Sequence, residues 1–172
     1  MYESKKKYNY GTGRRKSSVA RVRVYVTAVD VKSGSRQVSK AVLGIRSDIL
    51  YMNSASIYLA DQVYYNEESE PRTEGIYKVV DHKNGTRTKL MRLDITDGIR
   101  TAAYAELPGG MLNQFSMDEY NGHLRVVVTI DEHSRTTFTD ESWGFVNTRY
   151  NLDNRANALY ILDMDLNITG KI

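Results

Sequence analysis

Residues 20–31 read ARVRVYVTAVDV, and this stretch decides the fold class. Val22, Val24 and Val26 alternate with arginine, tyrosine and threonine side chains. Alternation with a period of two places the valines on one face of a β-strand and the polar groups on the other. The stretch is followed by Lys-Ser-Gly-Ser, which is a typical turn composition. The pattern therefore predicts a strand and a turn, and it recurs along the chain.

Further strands are expected where Tyr, Val, Ile and Thr alternate with polar residues. The candidates are residues 36–43, 49–52, 56–60, 62–65, 75–80, 88–95, 99–107, 123–130, 158–162 and 167–172, with either a pinned loop or another strand at 145–150. Asn84-Gly85, Asp97-Gly98 and Asn121-Gly122 are typical of tight hairpins, because glycine supplies the positive φ. Residues 67–72 are the most polar stretch and are interpreted as a surface loop. The sequence thus predicts an all-β chain of antiparallel hairpins.

A weak internal repeat joins three of these strands. Each copy has a tyrosine within an apolar strand and an aspartate at the following turn: Tyr25 with Asp30, Tyr77 with Asp81, and Tyr160 with Asp163. Repeated strand–turn–strand units suit the blades of a β-propeller or the meander of a sandwich. We therefore expect the three tyrosines to occupy equivalent places in successive sheets.

Composition restricts the chemistry that the chain can perform. The 172 residues include no cysteine, which removes disulfides, thiolate metal sites and cysteine nucleophiles. The three histidines lack the spacing of metal ligands, and Ser116 does not lie in a nucleophile-elbow motif. No apolar run approaches the roughly 20 residues of a membrane-spanning helix. We expect no catalytic residues, no metal and no cofactor.

Charge is distributed unevenly along the chain. Residues 1–23 contain eight basic residues and one acidic residue, whereas the remainder contains 16 basic and 20 acidic residues. A basic arm, residues 1–18, is therefore expected to precede a mildly acidic body, residues 19–172. Such an arm favours weak electrostatic binding to nucleic acid, although an anionic membrane surface or a merely solubilising role fits equally well. The candidate contacts to nucleic acid are Arg14, Arg15, Lys16, Arg21 and Arg23.

Residues 112–120 form the most distinctive segment of the body. One interpretation is a binding rim. Its candidate residues are Asn113, Gln114, Asp118, Glu119 and Tyr120. The alternative is a conformationally demanding turn in which Phe115 and Met117 are buried. We favour this alternative, because large apolar residues at alternate positions usually form a core face.

Three segments carry a resemblance to a known family. They are residues 25–30 (YVTAVD), residues 107–126 (LPGGMLNQFSMDEYNGHLRV) and residues 157–163 (NALYILD). From about residue 25 to residue 172 the chain resembles the bacterial and archaeal family of secreted proteins with a C-terminal β-propeller domain. The resemblance implies a partial β-propeller of three to four blades that acts as a non-catalytic scaffold or interaction module outside the cytoplasm, although the basic N-terminus lacks the pattern of a signal peptide. An open set of blades exposes an edge or an apolar flank, so a protein partner or self-association is expected.

A second, shorter resemblance involves residues 10–23 (YGTGRRKSSVARVR). This segment is similar to the start of the ninth protein of the small ribosomal subunit, and it implies RNA binding through the arm. The later glycine-rich signature and basic tail of that family are absent. The chain after residue 23 is also mildly acidic, with 16 basic against 20 acidic residues, whereas RNA-embedded proteins are usually basic throughout. RNA binding is therefore the alternative hypothesis.

Overall fold

A computed structural model describes residues 23–43, 45–47, 49–151 and 153–172. Most of this part of the chain lies in strands, and its strand ladders are antiparallel. The strands are β1 (Arg23–Val29), β2 (Arg36–Leu43), β3 (Ile49–Met52), β4 (Ser56–Glu68), β5 (Arg72–Glu74), β6 (Tyr77–Asp94), β7 (Arg100–Pro108), β8 (Met117–Tyr120), β9 (His123–Asp140), β10 (Val146–Tyr150), β11 (Asn154–Leu162) and β12 (Ile168–Lys171). A 3₁₀ turn at Gln114–Ser116 precedes β8. The all-β prediction is confirmed.

The strands form three sheet units in chain order. β1 and β2 make a leading hairpin. β3, β4, β6 and β7 pair in succession as a first four-stranded meander. β8, β9, β11 and β12 pair in the same way as a second meander. The two meanders thus share one connectivity, in which each strand pairs with the next.

The middle strands of both meanders continue beyond the meanders into a shared sheet. Residues 77–84 of β6 pair with residues 133–140 of β9. β4 and β5 pair with the other edge of β6, and β10 pairs with the other edge of β9. We call this shared part the extension sheet, residues 61–84 and 131–150. It joins the two meanders by backbone hydrogen bonds.

Alternation along the strands buries both faces of the first meander. One face packs on the leading hairpin, and its buried residues include Ile57, Leu59, Met91 and Leu93, in contact with Val24, Val26 and Val42. The opposite face packs on the second meander, and this core includes Tyr58, Ala60 and Leu90 together with Leu124, Val126, Val128, Tyr160 and Leu162. The three units are therefore stacked face to face, with the first meander in the middle.

Three aspartates end equivalent strands of the three units. They are Asp30 after β1, Asp94 at the end of β6, and Asp163 after β11. In each, the Oδ1 atom accepts a hydrogen bond of 2.8–2.9 Å from the backbone amide two residues along the chain. Hydrogen bonds from donors within each turn lower the pKa of all three carboxyls. These turns are the physical basis of the internal repeat.

The predicted repeat pairing Tyr77 with Asp81 is wrong. Asp81 lies inside β6, which continues to Asp94 before it turns. The Asp81 carboxylate accepts hydrogen bonds from Arg72 and Thr136 of the neighbouring strands, so it fixes the extension sheet. The aspartate equivalent to Asp30 and Asp163 is instead Asp94.

Two predicted turns also differ from the structure. The sequence predicts a hairpin turn at Asn84-Gly85, but this dipeptide lies within β6 and pairs with β4. The polar stretch 67–72 is largely strand, because β4 continues to Glu68 and β5 begins at Arg72. In both places the extension sheet supplies partner strands that local sequence does not reveal. The turn at Asn121-Gly122 is confirmed, with positive φ at both residues.

Candidate interaction site

The segment between the two meanders is fixed by backbone contacts with both of them. The amide of Gly109 donates to the carbonyl of Thr86 at 2.8 Å. Gly110 and Thr129 exchange two backbone hydrogen bonds of 2.9 and 2.8 Å. Gly109 has a φ of +96°, which side-chain-bearing residues rarely adopt. This close approach explains the glycine pair that precedes the distinctive segment.

Most of the predicted rim residues make contacts within the protein. The Asn113 side chain accepts a hydrogen bond from the amide of Phe115 at 2.9 Å and thereby caps the 3₁₀ turn. Asp118 forms an ion pair with Arg125, whose guanidinium lies 5.0 Å from the ring centroid of Tyr120. The Tyr120 ring and the Gln114 side chain remain exposed.

Glu119 is held by two tyrosines from the first meander. Its Oε2 atom accepts a hydrogen bond of 2.6 Å from the Tyr58 hydroxyl, and its amide donates to the Tyr51 hydroxyl at 3.2 Å. Burial, together with the Glu119 carboxylate, raises the pKa of Tyr58. The carboxylate thus connects the meanders, and only part of the predicted rim is open to a ligand.

The expected burial of Phe115 and Met117 is right for one residue and wrong for the other. Met117 is 3% exposed in the core, whereas Phe115 is 85% exposed. The 3₁₀ turn interrupts the strand alternation, so Phe115 does not follow Met117 into the core.

The residues of the predicted nucleic-acid contact lie almost entirely outside the described part of the chain. Arg14, Arg15, Lys16 and Arg21 precede it, and only the backbone of Arg23 is described, as the first residue of β1. Nucleic-acid binding by the arm therefore stays a prediction.

The aspartate turns show which face each strand residue presents. Leu93 and Met91 lie one and three residues before Asp94, and they face the leading hairpin. Leu90 lies four residues before Asp94, and it faces the second meander. Leu162 and Tyr160 lie one and three residues before Asp163, so they should face the preceding unit, which is the first meander. Both are indeed buried in the core that the two meanders share. Leu159 and Ile161 must then lie on the opposite face of the second meander.

That opposite face is not covered by another described strand. We call it the trailing face, and its central residues are Val127, Leu159 and Ile161. Val127 lies directly opposite Leu159 in the β9–β11 ladder and is 47% exposed. The sequence signal for this face was the run Val126-Val127-Val128, because apolar residues at successive positions indicate a strand meant to be covered on both sides.

The leading hairpin presents the other uncovered face of the stack. We call it the leading face, and its residues are Tyr25, Thr27 and Val29. Tyr25 is 64% and Val29 52% exposed. At each contact inside the stack, one unit packs on the unit that follows it in the chain. The leading face is the side of the leading hairpin turned away from the next unit, and the trailing face is the side of the second meander turned away from the preceding unit. The two uncovered faces are therefore one of each kind.

A polar network stabilises the extension sheet between the meanders. The Glu132 carboxylate accepts hydrogen bonds from the Tyr65 hydroxyl at 2.7 Å and from the side-chain amide of Asn154 at 2.9 Å. It also forms an ion pair with Lys83 at 3.0 Å. These bonds, that from Tyr65 first, lower the pKa of Glu132 to about 2. Burial, followed by the Glu132 carboxylate, raises the pKa of Tyr65 to about 12.

Glu132→Gln is expected to lower the free energy of unfolding by about 2 kcal/mol at pH 7, because the charged form is stabilised in the folded state. A depressed pKa contributes stability above the unfolded value of roughly 4.3, and this contribution is lost as the pH falls towards 2. Urea unfolding at pH 7, 4 and 3 should show the difference from wild type shrinking. Exposed Glu141→Gln is the control, and a constant difference at all pH values would contradict the assignment.

Two further features of the part of the chain that the structure describes concern metal binding and membrane insertion. Within it, no group of three or more His, Cys, Asp or Glu side chains is arranged to hold a metal ion. None of the described segments is a helix long and apolar enough to pass through a membrane.

The stacked meanders have a counterpart among known protein families. The family model for the β-propeller domain matches residues 3–172. The chain belongs to this family. Its two meanders have the four-stranded antiparallel form of propeller blades.

Two curated relatives are also similar to this propeller chain over part of its length. An uncharacterized protein of Methanocaldococcus jannaschii is 42% identical over 67 residues, which make up 39% of this chain and 8% of the relative. An uncharacterized protein of Archaeoglobus fulgidus is 41% identical over 66 residues, or 38% of this chain and 7% of the relative. The matched part is thus under a tenth of either relative. No solved structure matches the chain.

Proposed function

We propose that this propeller chain is a non-catalytic interaction module that binds a further β-sheet of the same kind on its uncovered faces. The observation that supports this is the pairing of faces in the stack. The first meander receives the leading hairpin on one side and the second meander on the other. The trailing face corresponds to the side of the leading hairpin that packs on the first meander, and to the side of the first meander that packs on the second. Both of these sides are buried.

The trailing face has the composition expected of such a contact. Its centre is apolar, with Val127 beside Leu159, and polar groups surround it, including the hydrogen-bonded pair Thr129 and Asn157. Burial of apolar surface contributes roughly 25 cal/mol per Å², so covering the centre favours association. The polar surroundings fix register more than they add affinity.

In a solution of the isolated chain, the available sheet of this kind belongs to a second copy. The leading face of one copy would then lie on the trailing face of the next. Because the two faces differ, such a contact is heterologous, and it leads to rings or open chains instead of a two-fold dimer.

Self-association of the wild-type chain is expected to depend on concentration. The double variant Val127→Glu with Leu159→Glu is expected to weaken it at least about tenfold, because two carboxylates would be buried without partners. Light scattering coupled to size-exclusion chromatography measures the effect, and circular dichroism checks that the variant is folded.

Leu112→Glu is the matched control, since Leu112 is 88% exposed but lies outside both uncovered faces. It should associate as wild type does. A wild-type chain that stays monomeric at every concentration, or a control that is as weak as the double variant, would contradict the proposed role of the trailing face.

A further inference from the structure

Strand β10 forms an edge of the extension sheet. It pairs with β9 through residues 146–150, and within the described part of the chain no strand pairs with its other side. Its sequence, Val-Asn-Thr-Arg-Tyr, contains no proline, and its ladder with β9 has no bulge, so two features by which natural edges prevent further pairing are missing from this strand. Val146 is 63% and Tyr150 79% exposed. The edge therefore offers an open backbone ladder.

A cleft of about 530 Å³ lies beside this edge. Tyr77, Phe138 and Phe145 provide its aromatic wall, and Asn147 and Arg149 of β10 line it as well. The rings of Tyr77 and Phe138 meet edge to face with centroids 6.4 Å apart. A large apolar side chain fits such a cleft, because aromatic walls favour it.

The charge in the cleft favours an anionic group on the ligand. Arg149 has no ion-pair partner among the described residues, and its guanidinium lies 5.8 Å from the ring centroid of Phe138. The cleft also contains Asp140, whose Oδ1 atom accepts hydrogen bonds from the amides of Ser142 and Trp143 at 2.8 and 3.3 Å. That carboxylate is directed to its own turn, so the arginine is left to pair with a ligand.

Strand geometry fixes the spacing of the two groups on the ligand. Asn147 and Arg149 lie two residues apart and line the same cleft. A strand added beside β10 would place every second side chain on that face. A peptide with an apolar residue and an acidic residue two positions apart matches the cleft and Arg149 together.

We infer that the edge of β10 binds an extended segment of a partner protein, in which a large apolar side chain enters the cleft and a carboxylate two residues along pairs with Arg149. The inference deepens the proposed interaction function, but it uses a surface separate from the trailing face. Main-chain hydrogen bonds give such a complex its affinity, and the cleft and the arginine give it specificity.

The probe is a capped, fluorescein-labelled peptide, Thr-Thr-Phe-Thr-Glu-Thr, titrated with the full chain by fluorescence anisotropy. Replacing its Phe by Ala or its Glu by Gln should weaken binding at least about tenfold, which corresponds to about 1.4 kcal/mol. A peptide with alternate N-methylated amides should not bind, because it cannot complete the backbone ladder.

Arg149→Glu is expected to lose binding of the acidic peptide and to gain binding of the same peptide with Lys in place of Glu. Arg149→Gln removes the charge alone and serves as a second variant if the reversal perturbs folding. Arg135→Glu is the matched control, because Arg135 pairs with Tyr150 and so lies on the opposite face of the sheet.

Three results would overturn the inference. They are equal binding of the peptide by wild type and Arg149→Glu, undiminished binding of the N-methylated peptide, and loss of self-association in the Arg149 variants, which would make a second copy the occupant. The Val127→Glu and Leu159→Glu variant should bind the peptide normally. Failure of the proposed trailing-face contact is thereby distinguished from failure at β10.

Discussion

Gly109→Ala is expected to lower the free energy of unfolding by about 3 kcal/mol or more. A Cβ atom at this position would lie 2.7 Å from the carbonyl oxygen of Thr129, a distance that real Cβ atoms essentially never show. The residue also has a φ of +96°, so alanine adds backbone strain of order 1–3 kcal/mol to the clash. Relief requires the Gly110–Thr129 hydrogen bonds to lengthen, which loosens one meander from the other. Chemical denaturation measures the loss.

Gly122→Ala separates the clash from the backbone strain. Gly122 has a φ of +71°, and nothing lies within 4 Å of the Cβ that would be added there. Its substitution should cost only about 1 kcal/mol. Equal losses in the two variants would show that the close approach at Gly109 contributes nothing.

Leu59→Ala is expected to lower the free energy of unfolding by about 2–5 kcal/mol, the usual range for a fully buried leucine. Leu59 is 0% exposed in the core between the first meander and the leading hairpin. The cavity would weaken the packing on the leading hairpin in particular. Hydrogen exchange should therefore show larger losses of protection in β1 and β2 than in β11.

The control for this substitution lies directly across the ladder. Leu50 pairs with Leu59 in the β3–β4 register, yet it is 51% exposed. Leu50→Ala should change stability by less than about 1 kcal/mol. A comparable loss in both variants, or a uniform loss of protection across all strands, would contradict a core of separate layers.

The sequence predicts the fold class because alternation is a local property. Runs such as Val22-Arg23-Val24 and the turn at Asn121-Gly122 contain enough information to locate strands and hairpins within a few residues. The aspartate at the end of β1 or β11 is local too, since its carboxylate binds the amides of its own turn. These elements could be read without knowledge of their partners.

The extension sheet could not be predicted in the same way, and Asn84-Gly85 shows why. The dipeptide is typical of hairpins, but here the glycine serves a close approach instead of a turn. A Cβ on Gly85 would lie 3.0 Å from the Tyr65 hydroxyl and 3.2 Å from the carbonyl oxygen of Asp131. Both partners are distant in sequence, so the requirement for glycine becomes clear only when the strands are assembled.

The candidate site was predictable only in part for a related reason. Residues 112–120 are distinctive in sequence, but Glu119 binds Tyr58, which lies 61 residues away. The trailing face and the β10 cleft depend on which strands remain without neighbours. That property belongs to the sheet order and not to any single segment.

The long pairing of β6 with β9 has a mechanical consequence. An antiparallel ladder of backbone hydrogen bonds joins residues 77–84 to residues 133–140, and its strands continue directly into the two meanders. A tensile load that separates the meanders along the strand axis must shear this ladder, so its hydrogen bonds resist together instead of opening one after another like a zipper. The two meanders should therefore unfold together under force, and neither should detach while the other stays folded.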